Sequence, residues 1–480
     1  MIQDLKPSSH YHVLRDVVLN LWTSKKKLSL IFILEYNNKM EKRILFTTAY
    51  IKDKPYDYWE SNTPNTLFRF NWVRRNSFGL RFLKQNIPEI DILEFPKFEE
   101  FKEKLKSGKY DVLGISFYIN EVPQAIEMIN YARKLGIKEI WGGNYGAMTP
   151  GVRKYFDKVF VGYAEEAIAK EFGRKIERIK HPPIVIHTGT PIGVYILVSG
   201  MLQTTRGCSL NCKFCQTPKF CSKVSPVPIE SIDEVLAEYK RLGIREVFIF
   251  DENFGLLKKH ADQVASLMDK YKLNWYAMTR VDILSANLNE WQKKGLIGAF
   301  IGIENFSQEN LDFIGKKQSK KNIINLLDRL NKKSFLVVGY YMVGFENETK
   351  ESILRDINKL KKIKMDLCQI CVVTPFPETQ LKDYLDKKFG IINSNYADYD
   401  TKHLVWKHPN IKPEEVKGLL KKCFRIAYSK RNFLNSWIKF YKKYTTTYGF
   451  WGGVKYMYRG VFNATISFYL KKEYRPMFFK

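Results

Sequence analysis

Twice along this chain, from Arg43 to about Phe172 and from about Ser199 to Phe389, short apolar runs alternate with amphipathic stretches of helical period. This alternation constrains the fold more than any other feature. Apolar runs separated by helical segments pair in parallel, and a parallel sheet must be covered on both faces. In the first stretch the predicted strands are Ile44–Tyr50, Ile90–Leu93, Val112–Phe117, Glu139–Trp141 and Val159–Val161, with Pro123–Leu135 as a helix between them. In the second they are Gly200–Thr205, Glu246–Asp251, Trp275–Thr279, Ala299–Glu304, Leu336–Gly344 and Leu367–Val373, with Pro228–Leu242 as a helix. Six strand–helix units make most of a parallel barrel, where chemistry gathers at the carboxyl ends of the strands.

The expected class is therefore α/β over the 480 residues. An N-terminal extension (1–40) precedes a doubly wound domain (41–180). A Pro-punctuated linker (181–198) leads to a partial (βα)6 TIM-type barrel (199–395), followed by a helical C-terminal region (396–480). Seventy-nine Lys and Arg against 50 Asp and Glu give a formal charge of +29, which points to an anionic partner such as nucleic acid or an acidic membrane surface. The longest early apolar run, Leu28–Leu34, is far shorter than the roughly 18 residues a spanning helix needs. The N-terminus lacks the layout of a secretory signal. The reading is a cytoplasmic protein that meets a membrane only peripherally, on its inner face.

Seven Cys make a poor disulfide framework, and three of them form a C-x3-C-x2-C pattern at Cys208, Cys212 and Cys215. They occupy a Gly-containing loop just after a predicted strand. Three soft thiolates on a short loop suit one face of an iron–sulfur cluster, and a [4Fe–4S] cube held by three ligands keeps one iron open. The alternatives are unrelated core cysteines, or a zinc knuckle completed by Cys221, although zinc sites usually pair two separate C-x2-4-C units. Cys221, Cys368, Cys371 and Cys423 are expected to be dispensable for a cluster.

A C-x3-C-x2-C loop after the first strand of a (βα)6 barrel resembles the radical S-adenosylmethionine (SAM) superfamily. The resemblance implies that SAM chelates the open iron and is cleaved to a 5′-deoxyadenosyl radical, which takes an unactivated hydrogen from substrate. It also implies a SAM pocket at the strand ends. Asp251, Glu252 and Asn253 stand where the family grips the methionine amino group. Arg280 is placed for the SAM carboxylate, Glu304 for ribose hydroxyls, and Gly344 and Thr374 for adenine. Phe214, inside the cysteine loop, joins this set. The catalytic residue proper stays unassigned.

The N-terminal strings Tyr110–Ser116, Ile140–Asn144 and Val161–Glu166 resemble the cobalamin-binding domain that precedes many radical SAM barrels. Its cues are a Ser-ended strand, a Gly-Gly turn and a Gly-x-x-Glu closing turn, where bare backbone can approach a large ligand. The implied contacts are Ser116, Tyr118, Asn120, Gly142, Gly143, Asn144, Gly162 and Glu165. Phe117–Glu121 contains no His, so cobalamin would lack a protein His ligand. A plain doubly wound domain that binds nothing is the alternative.

Residues 431–480 carry ten Lys and Arg, one acid (Glu473) and sixteen Phe, Tyr or Trp. Basic residues interleaved with amphipathic rings suit a lipid headgroup layer, RNA stacking, or a helical cap over the barrel mouth. The whole-chain arrangement most resembles archaeal lipid-modifying members, of the kinds that close rings in tetraether lipids or build calditol headgroups. The first expectation is thus a radical SAM enzyme forming a C–C bond or ring on a hydrophobic, membrane-lipid substrate. A low-potential donor such as ferredoxin or flavodoxin would serve it, and nucleic acid ranks behind lipid as partner. The competing expectation is a cobalamin-dependent radical SAM methyltransferase acting on lipid, RNA or a natural product. A methylthiotransferase ranks low, since no Cys precedes position 208. A zinc-containing RNA-binding protein is the non-enzymatic alternative.

Overall fold

A computed structural model describes residues 42–51, 72–73, 76–189, 195–331, 335–363 and 365–427, with isolated helical positions between 438 and 454. The first sheet has five parallel strands: Ile44–Thr48 (β1), Asp91–Leu93 (β2), Val112–Ser116 (β3), Glu139–Gly143 (β4) and Lys158–Phe160 (β5). Their order is β2-β1-β3-β4-β5. β1 runs in register with β3 from Ile44 beside Val112 to Thr48 beside Ser116.

Alternating side chains explain the two covered faces. Leu45, Leu113 and Ile115 pack with Phe101, Ala125 and Met128 from helices Phe98–Gly108 and Val122–Lys134. Ile44, Phe46 and Trp141 point the other way, onto Leu80 and Ile168 of helices Phe78–Asn86 and Glu165–Glu171. The chain reverses direction across the sheet between β1 and β3, the topological switch point at which such sheets bind ligands.

In the second sheet a two-residue edge strand, Trp72–Val73, pairs antiparallel with Ile184–Gly189 (β6), and the sheet continues through Tyr195–Leu202 (β7), Glu246–Ile249 (β8), Asn274–Thr279 (β9), Leu296–Glu304 (β10), Leu336–Val343 (β11) and Leu367–Val372 (β12). Strands β7 to β12 are parallel neighbours in chain order, as a six-unit partial barrel requires. Helices such as Ile229–Arg241, Lys258–Lys270 and Val281–Lys293 cover its outside.

Two expectations are corrected. The segment expected as a linker contains β6, an antiparallel strand paired with β7 from Ile184 beside Met201. Pro182 and Pro183 lie just before this strand, where missing N–H groups cost nothing, and the run Ile-Val-Ile that follows suits a pleated surface. The buried Tyr239 hydroxyl fastens the strand, 2.9 Å from the Ile184 N–H and 2.8 and 2.7 Å from the Ile184 and Met201 carbonyls. The region after 396 is not helical at its start either. A single 3-10 turn, Tyr396–Asp398, leads into irregular chain before helix Pro413–Ala427. That chain braces the molecule: Tyr399 and Val405 are buried in the first domain's core, whereas Leu404 and Trp406 are buried in the barrel's. Most of the basic aromatic tail lies outside the described residues.

Candidate functional site

The cysteine loop leaves β7 through Thr205–Arg206, a short strand paired antiparallel with Ser225–Pro226. Gly207 then turns at φ 81°, where a Cβ would stand 2.4 Å from the Lys223 carbonyl oxygen, so only Gly fits. The loop is pinned on several sides. The Cys208 N–H donates to the Cys221 carbonyl at 3.0 Å, and the Lys213 N–H to that of Ile314 at 3.0 Å. The Gln216 amide donates to the Pro377 carbonyl at 2.9 Å. Cys208 is buried, and Cys212 and Cys215 are half-buried.

Burial pushes the Cys208 and Cys212 thiols up, while the Lys316 and Arg280 charges pull Cys212 back. Thiolates in such a place need a bound cation to compensate them. Cys221, the candidate fourth zinc ligand, directs its thiol to the Lys223 carbonyl at 3.3 Å. Among the described residues no three His, Cys, Asp or Glu side chains gather as the shell of a single metal ion. The loop carries three soft thiol ligands, a donor set whose chemistry fits an iron–sulfur cluster.

Behind the loop stands Asp251, at the end of β8 and fully buried. It accepts from the Thr204 N–H at 2.5 Å and from the Thr204 and Thr205 hydroxyls at 2.6 Å each. Burial raises its pKa to about 6 despite these bonds. Its oxygens fix the root of the cysteine loop and are committed there. Its neighbours differ. Glu252 receives a hydrogen bond from the Tyr163 hydroxyl on one oxygen, while Oε2 is buried without a partner. Both polar atoms of the Asn253 side chain are buried without partners as well. Orphaned polar atoms of this kind cost about 1–3 kcal/mol each unless a ligand meets them. The end of β8 therefore fits the amino and carboxylate groups of a SAM methionine moiety.

The remaining barrel positions are partly engaged by the protein. Arg280 donates from Nε to Asp282 at 2.9 Å and from a terminal nitrogen to the Lys317 carbonyl at 3.4 Å. Glu304 sits at φ 62°, beside a register break in β10, and pairs with Lys316 at 2.6 Å. Gly344, at φ 85°, donates its N–H to Glu348 at 2.7 Å. The Thr374 hydroxyl turns back to the Val372 carbonyl at 2.9 Å, and Phe214 packs on the barrel core.

A cavity of about 500 Å³ opens between the strand ends of both domains. It gathers Ser116, Tyr118, Gly142, Gly143, Asn144, Gly162 and Glu165 from the first sheet, and Asp251 and Glu252 from the barrel. Nothing lies within 4 Å of a Cβ built on Gly143, so any side chain there would fill open space that a ligand can use. This bare backbone at the switch point fits a large flat ligand such as cobalamin. Asn120 is exposed and is not among the residues that line the cavity, and Ile119 is the buried residue of that turn. Glu165 lines the cavity, but both its oxygens bind Arg206, at 3.1 and 2.7 Å. Tyr145 faces the space as well, with its hydroxyl 3.1 Å from that of Thr217 and its ring 4.8 Å from Phe220.

Sequence reasoning missed Tyr145, Tyr163, Gln203 and Arg206. Arg206 is buried with its guanidinium carbon 4.5 Å from the Phe82 ring centroid and 4.6 Å from that of Tyr163. Its position directly before Gly207-Cys208 was the available signal. The role of the others depends on how the domains meet, which spacing along the chain does not encode.

Residues 202–360 match the family model described as the radical SAM superfamily. The barrel is a radical SAM domain. The relatives of the chain fit the same picture. It is 29% identical over 234 residues to an uncharacterized methyltransferase of Pyrococcus horikoshii, covering 48% of this chain. That match spans 51% of the relative, so the chain covers about half of that protein's length. It is 22% identical over 350 residues to the bacteriochlorophyllide d C-8(2)-methyltransferase of Chlorobaculum tepidum, covering 66% of this chain and 77% of that one. The fold resembles that of the radical SAM methyltransferase TsrM from Kitasatospora setae, solved with cobalamin and a [4Fe–4S] cluster. The TM-score is 0.58 at 13% identity, over 88% of this chain and 99% of that one.

Proposed function

We propose that this radical SAM enzyme is a cobalamin-dependent methyltransferase. The observation that carries the reading is the shared cavity: the switch-point end of the first sheet and the end of β8 wall the same space. When bound, the [4Fe–4S] cluster with SAM supplies hydrogen-abstracting power, and cobalamin supplies a transferable methyl group. Cys208, Cys212 and Cys215 hold the cluster. Glu252 and Asn253 bind the methionine end of SAM, with Arg280 as a nearby cation. Ser116, Gly142, Gly143 and Asn144 form the cobalamin wall. The methyltransferase relatives favour this reading over ring formation on a lipid.

The substrate's reacting part is apolar in this reading. Phe248, Phe250, Tyr276 and Phe300 pack as one aromatic surface, with Phe248 stacked on Tyr276 at 4.4 Å and 7° between planes. Phe250 and Met278 extend it to the cavity wall. Such a surface excludes water from the reacting atoms. A lipid remains the second choice of substrate, supported by exposed Phe450 and Trp451 and by the basic tail, which suit a peripheral anionic surface. Among the described residues no helix is long and apolar enough to cross a membrane. A low-potential ferredoxin or flavodoxin would supply electrons.

The full chain, reconstituted anaerobically with iron, sulfide, cobalamin, SAM and reductant, is given a lipid extract or an aromatic small-molecule extract. Mass spectrometry is expected to find a product heavier by one CH2 unit. A product lighter by two hydrogens, with none methylated, contradicts methyl transfer and supports ring formation.

A further inference from the structure

Tyr163 belongs to the closing turn of the first domain, yet its hydroxyl reaches across the domain boundary to the Glu252 carboxylate. The direction of that bond is fixed. The Gln203 side-chain amide donates to the Tyr163 oxygen at 2.8 Å, so the phenolic hydrogen is left to point at Glu252. The ring is fixed as well. Phe220 meets it edge-on at 5.6 Å, and the Arg206 guanidinium covers one face at 4.6 Å while held by Glu165.

The consequence falls on Glu252. One carboxylate oxygen is occupied by a residue of the other domain, and Oε2 is left buried, unpartnered and in the cavity wall. A carboxylate oxygen in that state is matched by a cationic N–H donor. Gln203 is held in turn, because its backbone N–H donates to His181 Nε2 at 3.0 Å. The chain Gln203–Tyr163–Glu252 therefore acts as a brace that sets which way the free oxygen faces.

We propose that Tyr163 is a positioning residue that holds Glu252 so that its free oxygen receives the ammonium group of SAM. The first domain thereby completes the SAM site of the second. The proposal rests on the radical SAM reading and adds to it a residue from outside the barrel.

The test is a double-mutant cycle on the full, iron-loaded chain, reading the Kd for SAM, iron per chain and the melting temperature. Tyr163→Phe is expected to raise the Kd about tenfold, as loss of one hydrogen bond to a charged group does, with iron content unchanged. Glu252→Gln is expected to raise it further, and the double variant to match Glu252→Gln alone, because Tyr163 acts only through Glu252. A wild-type Kd in Tyr163→Phe, or losses that multiply in the double variant, overturns the proposal. Should Tyr163→Phe fold poorly, Gln203→Leu frees the hydroxyl to rotate. A smaller rise in Kd is then expected, and an unchanged Kd counts against the brace. A wild-type chain that loads iron but binds no SAM overturns the radical SAM reading and the brace together.

Discussion

His181 shows how far the surroundings of one residue set its chemistry. Its Nε2 accepts the Gln203 N–H, Nδ1 lies 2.6 Å from the Pro182 carbonyl, and the Phe82 ring closes over it edge-on at 4.8 Å. Burial lowers its pKa from 6.5 to about 3. The unfolded chain binds the proton at the higher value and the folded chain refuses it, so the contribution to stability is complete above 6.5. It is lost as pH falls through the window from 6.5 to about 3, at about 1.4 kcal/mol per pH unit. His181→Gln keeps an acceptor for Gln203 and does not titrate. Its melting temperature is expected to fall less steeply than that of wild type between pH 6.5 and 4, and parallel slopes would show that His181 titrates normally. No sequence pattern marked this residue, because a His between a Lys and two Pro reads as loop. The three cysteines stand out in the sequence for the opposite reason: their spacing falls within eight residues, and tertiary contacts only orient them.

At the scale of elements, the alternation of apolar runs and helical periods located all the parallel strands, since each must bury two faces and contains few polar residues. It failed at β6. Its apolar run is only three residues, Ile184 to Ile186, and the prolines before it imitate a linker. What secures β6 is a distant side chain, Tyr239 on helix Ile229–Arg241, whose hydroxyl satisfies backbone groups of two strands. Tyr239→Phe leaves buried polar atoms unpaired and is expected to destabilise the chain by about 1–3 kcal/mol in urea unfolding, while iron loading persists. A change below a few tenths of a kcal/mol would mean that strand pairing alone holds β6. The start of the C-terminal region departs from a helix because its apolar residues serve two cores: Tyr399 and Val405 pack into the first and Trp406 into the second.

Across the whole molecule, the two domains are joined by more than the peptide chain. The Arg206–Glu165 pair is buried on both sides, with side chains 7% and 3% exposed, and Arg206 adjoins the cysteine loop. Removing one partner of such a pair leaves an uncompensated buried charge, a loss of about 3–5 kcal/mol. The cavity, the cysteine loop and the brace on Glu252 all depend on this junction. Sequence motifs singled out residues in each domain separately, whereas the one cavity that residues of both domains line follows from how the domains meet. The charge of +29 had pointed to an anionic partner without saying which, and the site itself is apolar and aromatic.

The most direct measurement is the joint stoichiometry of iron and corrinoid in the full chain after anaerobic reconstitution, compared with the Cys208→Ala, Cys212→Ala, Cys215→Ala triple variant. Four irons and one cobalamin per wild-type chain are expected, with iron lost and cobalamin retained in the variant, because the thiolates and the Gly142–Gly143 wall are separate holds. Four irons retained in the variant, or a wild-type chain that loads iron but takes up no corrinoid, would contradict this.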